Sequence, residues 1–299
     1  MALLEVRDVT VRYGGHIALH SVNLGVEAGR VTGLIGPNGA GKTTLFNVLT
    51  GLLPPSSGRV LLDGQEITRL APYRRARRGL ARTFQILELF GQLTVLENVQ
   101  LAARLRRRSA SGGAADPRAL LARVGLTALA DRRADTLPTG LGRRLELARA
   151  LAVRPRVLLL DEPASGQDEE ETAAFADLLG ELAGEGLAIL LVEHDMTLVM
   201  GVCAHLYVLD FGTLMAEGDP ASVRADPRVR EAYLGTVSTP TPTPTPAPAP
   251  APVPVPVPVP DADADAVATV AGPAGGATGT GPGEAGLTAT TGSAGEEPR

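Results

Sequence analysis

The chain contains one lysine, Lys42, whereas every other position that carries lysine or arginine is arginine. It lies in a segment that matches the phosphate-binding pattern G-x-x-x-x-G-K-[ST]: Gly36, Pro37, Asn38, Gly39, Ala40, Gly41, Lys42, Thr43 and Thr44. Glycines allow backbone N–H groups to close around phosphate oxygens, and lysine adds a compact charge that the wide, planar arginine does not reproduce. The segment therefore predicts a site for nucleotide phosphates.

The elements on either side of this loop fit the same interpretation. Residues 31–35 are typical of a buried strand, and residues 45–49 favour a helix whose positive end would face the phosphates. Thr43 offers a hydroxyl for Mg²⁺. The alternative, a Gly-rich turn without function, does not require a strand before the loop and a helix after it.

Two adjacent carboxylates, Asp161 and Glu162, follow the apolar run at 157–160. An acid at the end of a buried strand beside a phosphate loop can bind Mg²⁺, which is the role predicted for Asp161. An acid one residue further along can polarise a water towards the γ-phosphate, which makes Glu162 the candidate general base. The alternative is a surface loop with two acids, and the phosphate loop favours the catalytic interpretation.

Composition divides the 299 residues into two parts. Proline occupies every second position from Pro240 to Pro260, a pattern that excludes helices and central strands. We expect one globular domain at 1–235 and a Pro/Ala/Thr/Gly-rich disordered tail at 236–299. The tail carries six acidic residues and one arginine, so its charge of −5 equals that of the whole chain and the domain is formally neutral. A neutral domain argues against a nucleic-acid partner.

Two arginine clusters, at 74–78 and 106–108, remain open to two interpretations. They are either solvated helix faces or contacts to anionic lipid headgroups or a membrane partner. No apolar run reaches about 18 residues, so no membrane-spanning helix is predicted. The N-terminus lacks the features of a signal peptide, which leads us to expect a protein that stays in the cytoplasm.

Hydrophobic patterning predicts an α/β fold with a mostly parallel sheet flanked by helices and an antiparallel β subdomain at the N-terminus. Residues 4–13, 18–26 and 58–62 alternate as half-exposed strands, whereas 157–160 and 187–192 are continuous apolar strands of the buried parallel type. Predicted helices occupy 94–108, 117–124, 143–153 and 169–182.

This order of elements over residues 1–235 resembles the ATP-binding subunits of ABC transporters, which are P-loop NTPases with an additional helical subdomain. The resemblance implies a role for Gln85 in sensing Mg²⁺ and contacting membrane subunits. It implies that His194 contacts the γ-phosphate and that Tyr13 stacks on adenine. Taken alone, a histidine after a buried strand is more often structural, and the alternative for Tyr13 is an ordinary tyrosine at a strand end.

The segment Leu137-Pro138-Thr139-Gly140-Leu141 stands where this family has the signature Leu-Ser-Gly-Gly-Gln. Pro138 and Thr139 replace the serine and the first glycine, and Leu141 replaces the glutamine. In the family two ATPase subunits associate head to tail, and the signature of one completes the ATP site of the other. The resemblance therefore implies that Pro138, Thr139 and Gly140 contact nucleotide bound to a partner.

The resemblance narrows to branched-chain amino-acid importers in residues 89–99, 192–196 and 230–235, and to the larger of their two ATPase subunits in residues 81–85. It implies ATP and Mg²⁺ as cofactors, and as partners a second, identical or different ATPase subunit, two membrane permeases and, indirectly, an external substrate-binding protein. The subunit would lie at the cytoplasmic face of the cell membrane. Alternatives are an importer of an amide or urea, a soluble ABC ATPase acting on ribosomes or DNA, and a regulatory subunit that does not hydrolyse ATP.

The uniqueness of Lys42 leads to a first prediction. Lys42→Arg should lower ATP affinity or hydrolysis at least tenfold, equivalent to about 1.4 kcal/mol, because the arginine fork does not fit the same nest. ATP binding and phosphate release by the purified complex measure the effect. Near-normal turnover would show that the site accepts either cation.

Overall fold

The computed structural model describes residues 2–83, 87–107 and 115–234, without the side chains of 105–107, 233 and 234. The strands are β1 (Ala2–Tyr13), β2 (His16–Glu27), β3 (Val31–Ile35), β4 (Ser57–Leu62), β5 (Gln65–Glu66), β6 (Leu80–Arg82), β7 (Val157–Asp161), β8 (Ala188–Val192), β9 (His205–Asp210) and β10 (Thr213–Gly218). The helices are α1 (Lys42–Thr50), α2 (Pro72–Arg77), α3 (Val95–Arg107), α4 (Pro117–Arg123), α5 (Thr139–Ala152), α6 (Glu169–Gly184), α7 (Met196–Val202), α8 (Pro220–Ala225) and α9 (Pro227–Leu234). The predictions for Gln85 and for the tail fall outside the described residues and stay predictions.

The strands form two sheets, as the sequence predicted. The first is antiparallel with the order β2-β1-β4-β5, and its buried residues come largely at alternate positions because one face is covered. The second has the order β10-β9-β3-β8-β7-β6, and all of its pairs are parallel except β9 with β10. The central strands β3, β7 and β8 are buried at every position, which explains the continuous apolar sequences of β8 and of β7 up to Leu160.

The register of the second sheet determines where the functional residues meet. Leu34 pairs with Val192, and Asp161 pairs with the same Val192 on its other side. The carboxyl ends of β3, β7 and β8 are therefore level, so the loop after β3 and the acids at the end of β7 lie at one edge of the sheet.

Helix α5 begins at Thr139, four residues before the predicted start at Arg143. Its first turn contains two glycines, which hide the helix from a propensity-based prediction. Close packing explains one of them, because a Cβ at Gly142 would lie 2.6 Å from Leu87 Cδ2. Pro138 is the N-cap, and its carbonyl accepts the first helical hydrogen bond from the Gly142 N–H at 2.9 Å.

One arginine of the 74–78 cluster is neither on a solvated helix face nor available to contact lipid headgroups or a membrane partner. Arg75 is only 1 % exposed, and its guanidinium donates to the carbonyls of Val48, Leu49, Thr68 and Leu70 at 2.6–2.9 Å. Burial lowers its pKa to about 10, which leaves it charged at neutral pH. Arg75 thus ties the last turn of α1 to the segment before α2 and fixes the far end of the phosphate-loop helix.

Several short elements were not predicted: β6, β9, β10, α2, α7, α8 and α9. They are three to eight residues long, too short for a hydrophobic period to emerge. Capping residues rather than periodicity mark some of these helices, as where Asp219 accepts from the N–H groups of Ala221 and Ser222 at the start of α8. Among the residues described, no helix combines the length and apolar character needed to cross a membrane.

Candidate functional site

The loop between β3 and α1 depends on two glycines. Gly36 has φ +155°, and a Cβ there would lie 2.0 Å from the carbonyl oxygen of Leu209. Gly41, the N-cap of α1, has φ +107°, and a Cβ would lie 2.8 Å from Leu19 Cδ2. Both positions combine close approach with a backbone conformation that disfavours side chains. The sequence pattern therefore reflects steric necessity at both ends of the loop.

Lys42, the first residue of α1, folds back over this loop. Its Nζ donates to the carbonyl of Gly36 at 2.6 Å and to that of Pro37 at 3.0 Å. Burial lowers the pKa of Lys42, while the nearby carboxylates of Glu162 and Asp161 raise it. The ammonium is held where the loop carbonyls stabilise it, and phosphate oxygens would be stronger partners for the same donors.

A cavity of about 200 Å³ opens at the level edge of the parallel strands. Its lining joins the loop, the start of α1 and the two acids: Asn38, Gly39, Ala40, Gly41, Lys42, Thr43, Thr44, Asp161, Glu162 and Val192. The hydroxyl of Thr43 and the carboxylate of Asp161 are hard oxygen donors of the kind that Mg²⁺ prefers. The donors present in this cavity therefore fit Mg²⁺.

The two acids at the end of β7 differ in environment. Asp161 is 3 % exposed, and its carboxylate accepts from Arg82 Nη2 at 2.9 Å. Glu162 adopts φ 49°, a left-handed conformation that costs a residue other than glycine about 1–3 kcal/mol. Its N–H donates to the Val192 carbonyl at 2.9 Å, so pairing with β8 supports the strained backbone. Strain at this position directs Glu162 out of the strand and towards the cavity it lines.

His194 follows β8, and its side chain is 72 % exposed. Its position is set by Glu193, a buried carboxylate that accepts from the N–H of His194 at 3.1 Å and from the N–H of Ala164 at 2.8 Å. Burial raises the pKa of Glu193, and these N–H donors oppose the rise. Glu193 thus connects the segment after Glu162 to the segment that carries His194.

Four predicted nucleotide contacts, Tyr13, Pro138, Thr139 and Gly140, do not line this cavity. Tyr13, at the end of β1, is 51 % exposed and belongs to the other sheet. Thr139 and Gly140 begin α5, where they contact the segment after β7: a Cβ at Gly140 would lie 3.4 Å from Gln167 Cγ, and one at Gly166 would lie 3.6 Å from Thr139 Cβ. Neither Pro138, Thr139 nor Gly140 lines the phosphate cavity.

Two contributors to the site escaped sequence reasoning. No role was assigned to Arg82 from the sequence, although Arg82 pairs with Asp161 and also donates to Asn47 Oδ1 at 2.7 Å. Glu193 was likewise unassigned. In both cases the sequence offered one signal, an acid or an arginine at the end of an otherwise apolar strand. A charge in that position indicates a partner elsewhere in the fold, because a buried charge has to be paired.

Comparisons with known proteins agree with this geometry. Residues 19–165 match a family model described as ABC transporter, and residues 213–238 match one described as branched-chain amino acid ATP-binding cassette transporter. The high-affinity branched-chain amino acid transport ATP-binding protein BraF of Pseudomonas aeruginosa is 43 % identical over 249 residues, covering 78 % of this chain and 98 % of BraF. The corresponding protein LivG of Escherichia coli is 41 % identical over the same length and coverage.

The chain is also similar to solved structures of ATP-binding cassettes, one of them a dimer. An ATP-binding cassette of an ABC transporter in its ADP conformation matches with a TM-score of 0.70 and 32 % identity, covering 79 % of this chain and 99 % of that one. A dimeric ATP-binding cassette bound to ADP and Pi matches with a TM-score of 0.65 and 26 % identity, covering 73 % and 98 %.

The curated relatives are matched over nearly their entire length, and the similarity includes the phosphate loop and the acids at the end of β7. The chain therefore belongs to the family of ABC transporter ATP-binding proteins.

Proposed function

We propose that this protein binds and hydrolyses ATP to power an importer of branched-chain amino acids at the cytoplasmic face of the cell membrane. The single observation that carries the ATPase activity is the cavity in which Lys42, Asp161 and Glu162 meet the phosphate loop. The transported substrate is inferred from the names of BraF and LivG. An importer of a related amide or urea would use the same cavity, because the transported molecule does not enter it.

Each residue of the cavity has a separate task in hydrolysis. The N–H groups of the loop, the N-terminus of α1 and Lys42 bind the phosphates. Thr43 and Asp161 would hold Mg²⁺, which neutralises charge on the β- and γ-phosphate oxygens when bound. Glu162 accepts a hydrogen bond from the attacking water and orients it, and His194 contacts the γ-phosphate. Gln85, outside the described residues, is proposed as a further sensor of Mg²⁺.

The residues proposed as the signature favour completion of the ATP site by a second ATPase subunit. Pro138, Thr139 and Gly140 do not line the cavity of their own chain, and Thr139 and Gly140 contact residues 166 and 167. In a head-to-tail dimer they would face the nucleotide of the partner. Tyr13 would contact the adenine from the antiparallel sheet.

A groove of about 330 Å³ offers a docking site for a cytoplasmic segment of a membrane permease. Its walls come from the end of α1, from α2, from β6 and from α5, and large exposed apolar side chains lie beside it: Leu52 at 54 %, Tyr73 at 56 % and Phe90 at 47 %. Exposed apolar side chains grouped around a groove are typical of interaction sites. The strand β6, which lines this groove, comes shortly before Gln85 in the sequence, and the family resemblance assigns Gln85 a contact with the membrane subunits.

The groove provides a test of the permease partner. Leu52→Glu should place a charge in the contact and reduce co-purification of the chain with membrane permeases at least tenfold, while ATP binding by the isolated chain stays unchanged. Phe211→Glu is the matched control, because Phe211 is 88 % exposed on the turn between β9 and β10. Equal recovery of permeases with both variants would exclude the groove.

The role of Glu162 is tested by Glu162→Gln. The amide cannot polarise water, so phosphate release should fall at least a hundredfold, whereas ATP binding persists and the closed dimer accumulates. Light scattering with ATP and Mg²⁺ measures the oligomeric state, and phosphate release measures turnover. A variant that turns over at the parent rate would exclude Glu162 as the base.

The altered signature predicts that the two ATP sites of a heterodimer are unequal. Pro138 has neither a hydroxyl nor an N–H to offer the partner's nucleotide, and losing one such donor typically costs about 3 kcal/mol, or roughly a hundredfold in rate. The site on this chain's own loop should then carry most turnover if the partner has an intact signature. Glu162→Gln should abolish ATPase, and the matching change in the partner should reduce it modestly. Equal losses would contradict the asymmetry.

A further inference from the structure

We propose that Arg82 occupies the carboxylate of Asp161 while nucleotide is absent, so that Mg²⁺ enters this site only together with nucleotide. The inference rests on the proposed function in one respect, the assignment of Asp161 as a Mg²⁺ ligand. It adds a device that controls when this ligand becomes available.

The pair between Arg82 and Asp161 is almost completely enclosed. Arg82 Nη2 donates to Asp161 Oδ2 at 2.9 Å, and the two side chains are 7 % and 4 % exposed. Removing one partner of such a pair leaves an uncompensated charge in a poorly solvated place. Arg82 therefore supplies the positive charge that Asp161 needs in the protein without nucleotide.

Arg82 is also held from two other sides. Its Nη1 donates to Asn47 Oδ1 on α1 at 2.7 Å, and its guanidinium lies 5.3 Å from the ring centroid of the buried Phe46. These contacts keep the guanidinium beside the phosphate-loop helix when its bond to Asp161 is lost. The cation can thus be displaced from the carboxylate without leaving the interior of the domain.

Arg82 and a divalent cation compete for the same carboxylate. Mg²⁺ requires carboxylate oxygen, and a guanidinium already bonded to that oxygen repels a second cation a few ångströms away. The cavity also contains Lys42 and Glu162, whose opposite charges offset each other, so Arg82 is the cation that balances Asp161. The phosphates of a nucleotide would favour a divalent cation at Asp161, because they add several negative charges to the cavity.

Arg82 and Asp161 line two different sites. Arg82 lines the groove proposed for the permease, whereas Asp161 lines the phosphate cavity. The ion pair is therefore a direct contact between the two sites. A segment seated in the groove can favour or disfavour the release of Asp161 by moving this one side chain.

Binding of divalent cation without nucleotide tests the proposal in the full-length chain. Arg82→Met removes the charge but keeps an apolar stem on Phe46. In nucleotide-free protein this variant should bind Mn²⁺, followed by electron paramagnetic resonance, with a Kd at least tenfold below that of the parent. About 10 mM Mg²⁺ should raise its melting temperature by at least about 3 °C, and should leave the parent unchanged.

Matched variants separate this device from a structural ion pair. Arg82→Lys keeps a cation beside Asp161 and should show little response to Mg²⁺. Arg156→Met deletes an exposed pair, Arg156 with Asp63, and should show none. Adding Asp161→Asn to Arg82→Met should abolish the new response. If Arg82→Met does not fold, Arg82→Gln carries the same expectation.

The outcomes distinguish this proposal from the proposed function. Unchanged Mn²⁺ affinity in the folded Arg82→Met or Arg82→Gln variant would overturn the role of Arg82, as would an equal Mg²⁺ response in Arg82→Lys. Asp161→Asn alone tests the metal ligand, because it should abolish Mg²⁺-dependent ATPase activity. Retained activity in that variant would overturn the assignment of Asp161 itself.

Discussion

The level ends of β3, β7 and β8 are the constraint on which the rest of the site depends. Parallel pairing places Val192 opposite both Leu34 and Asp161, so the phosphate loop and the acids emerge at the same height. A slip of one residue in β7 would turn Asp161 to the other face of the sheet. Burial of every position in these strands maintains this register, because any slip would expose or crowd a core side chain.

The charged residues at this edge of the sheet differ in how deeply they are buried. Asp161 is enclosed with Arg82, Glu193 is enclosed among backbone N–H donors, and Lys42 is partly covered by loop carbonyls. Each buried charge has partners that offset the cost of removing it from water. Glu162, which is partly buried, and His194, which is exposed, are more accessible to solvent, and they are the residues proposed to meet water and the γ-phosphate. Burial therefore separates the residues that organise the site from those proposed to react.

The sequence predicted this edge of the sheet better than it predicted the contacts behind it. The phosphate loop and the acids after β7 follow from residue types at fixed spacing, and the structure places them around one cavity. Arg75 was misinterpreted, because one buried arginine within a basic cluster has no local mark and its four acceptors come from distant segments. The start of α5 was missed because its first turn contains two glycines, one of them required by close packing, that weaken a helix signal. Such features depend on tertiary contacts, which a single sequence does not reveal.

Helix α5 connects the proposed signature to the proposed permease groove. Its first turn carries Thr139 and Gly140, and further along Glu146 accepts from the Glu88 N–H at 2.9 Å and from Arg143 at 3.0 Å. Burial raises the pKa of Glu146, and these donors oppose the rise. Because Glu146 also lines the groove, a displacement of the segment at Glu88 would act on the helix that begins with the proposed signature residues. Arg82 connects the same groove to Asp161, the proposed metal ligand. A permease segment seated in the groove would therefore contact one side chain on the helix of the proposed signature and one side chain bonded to the proposed metal ligand.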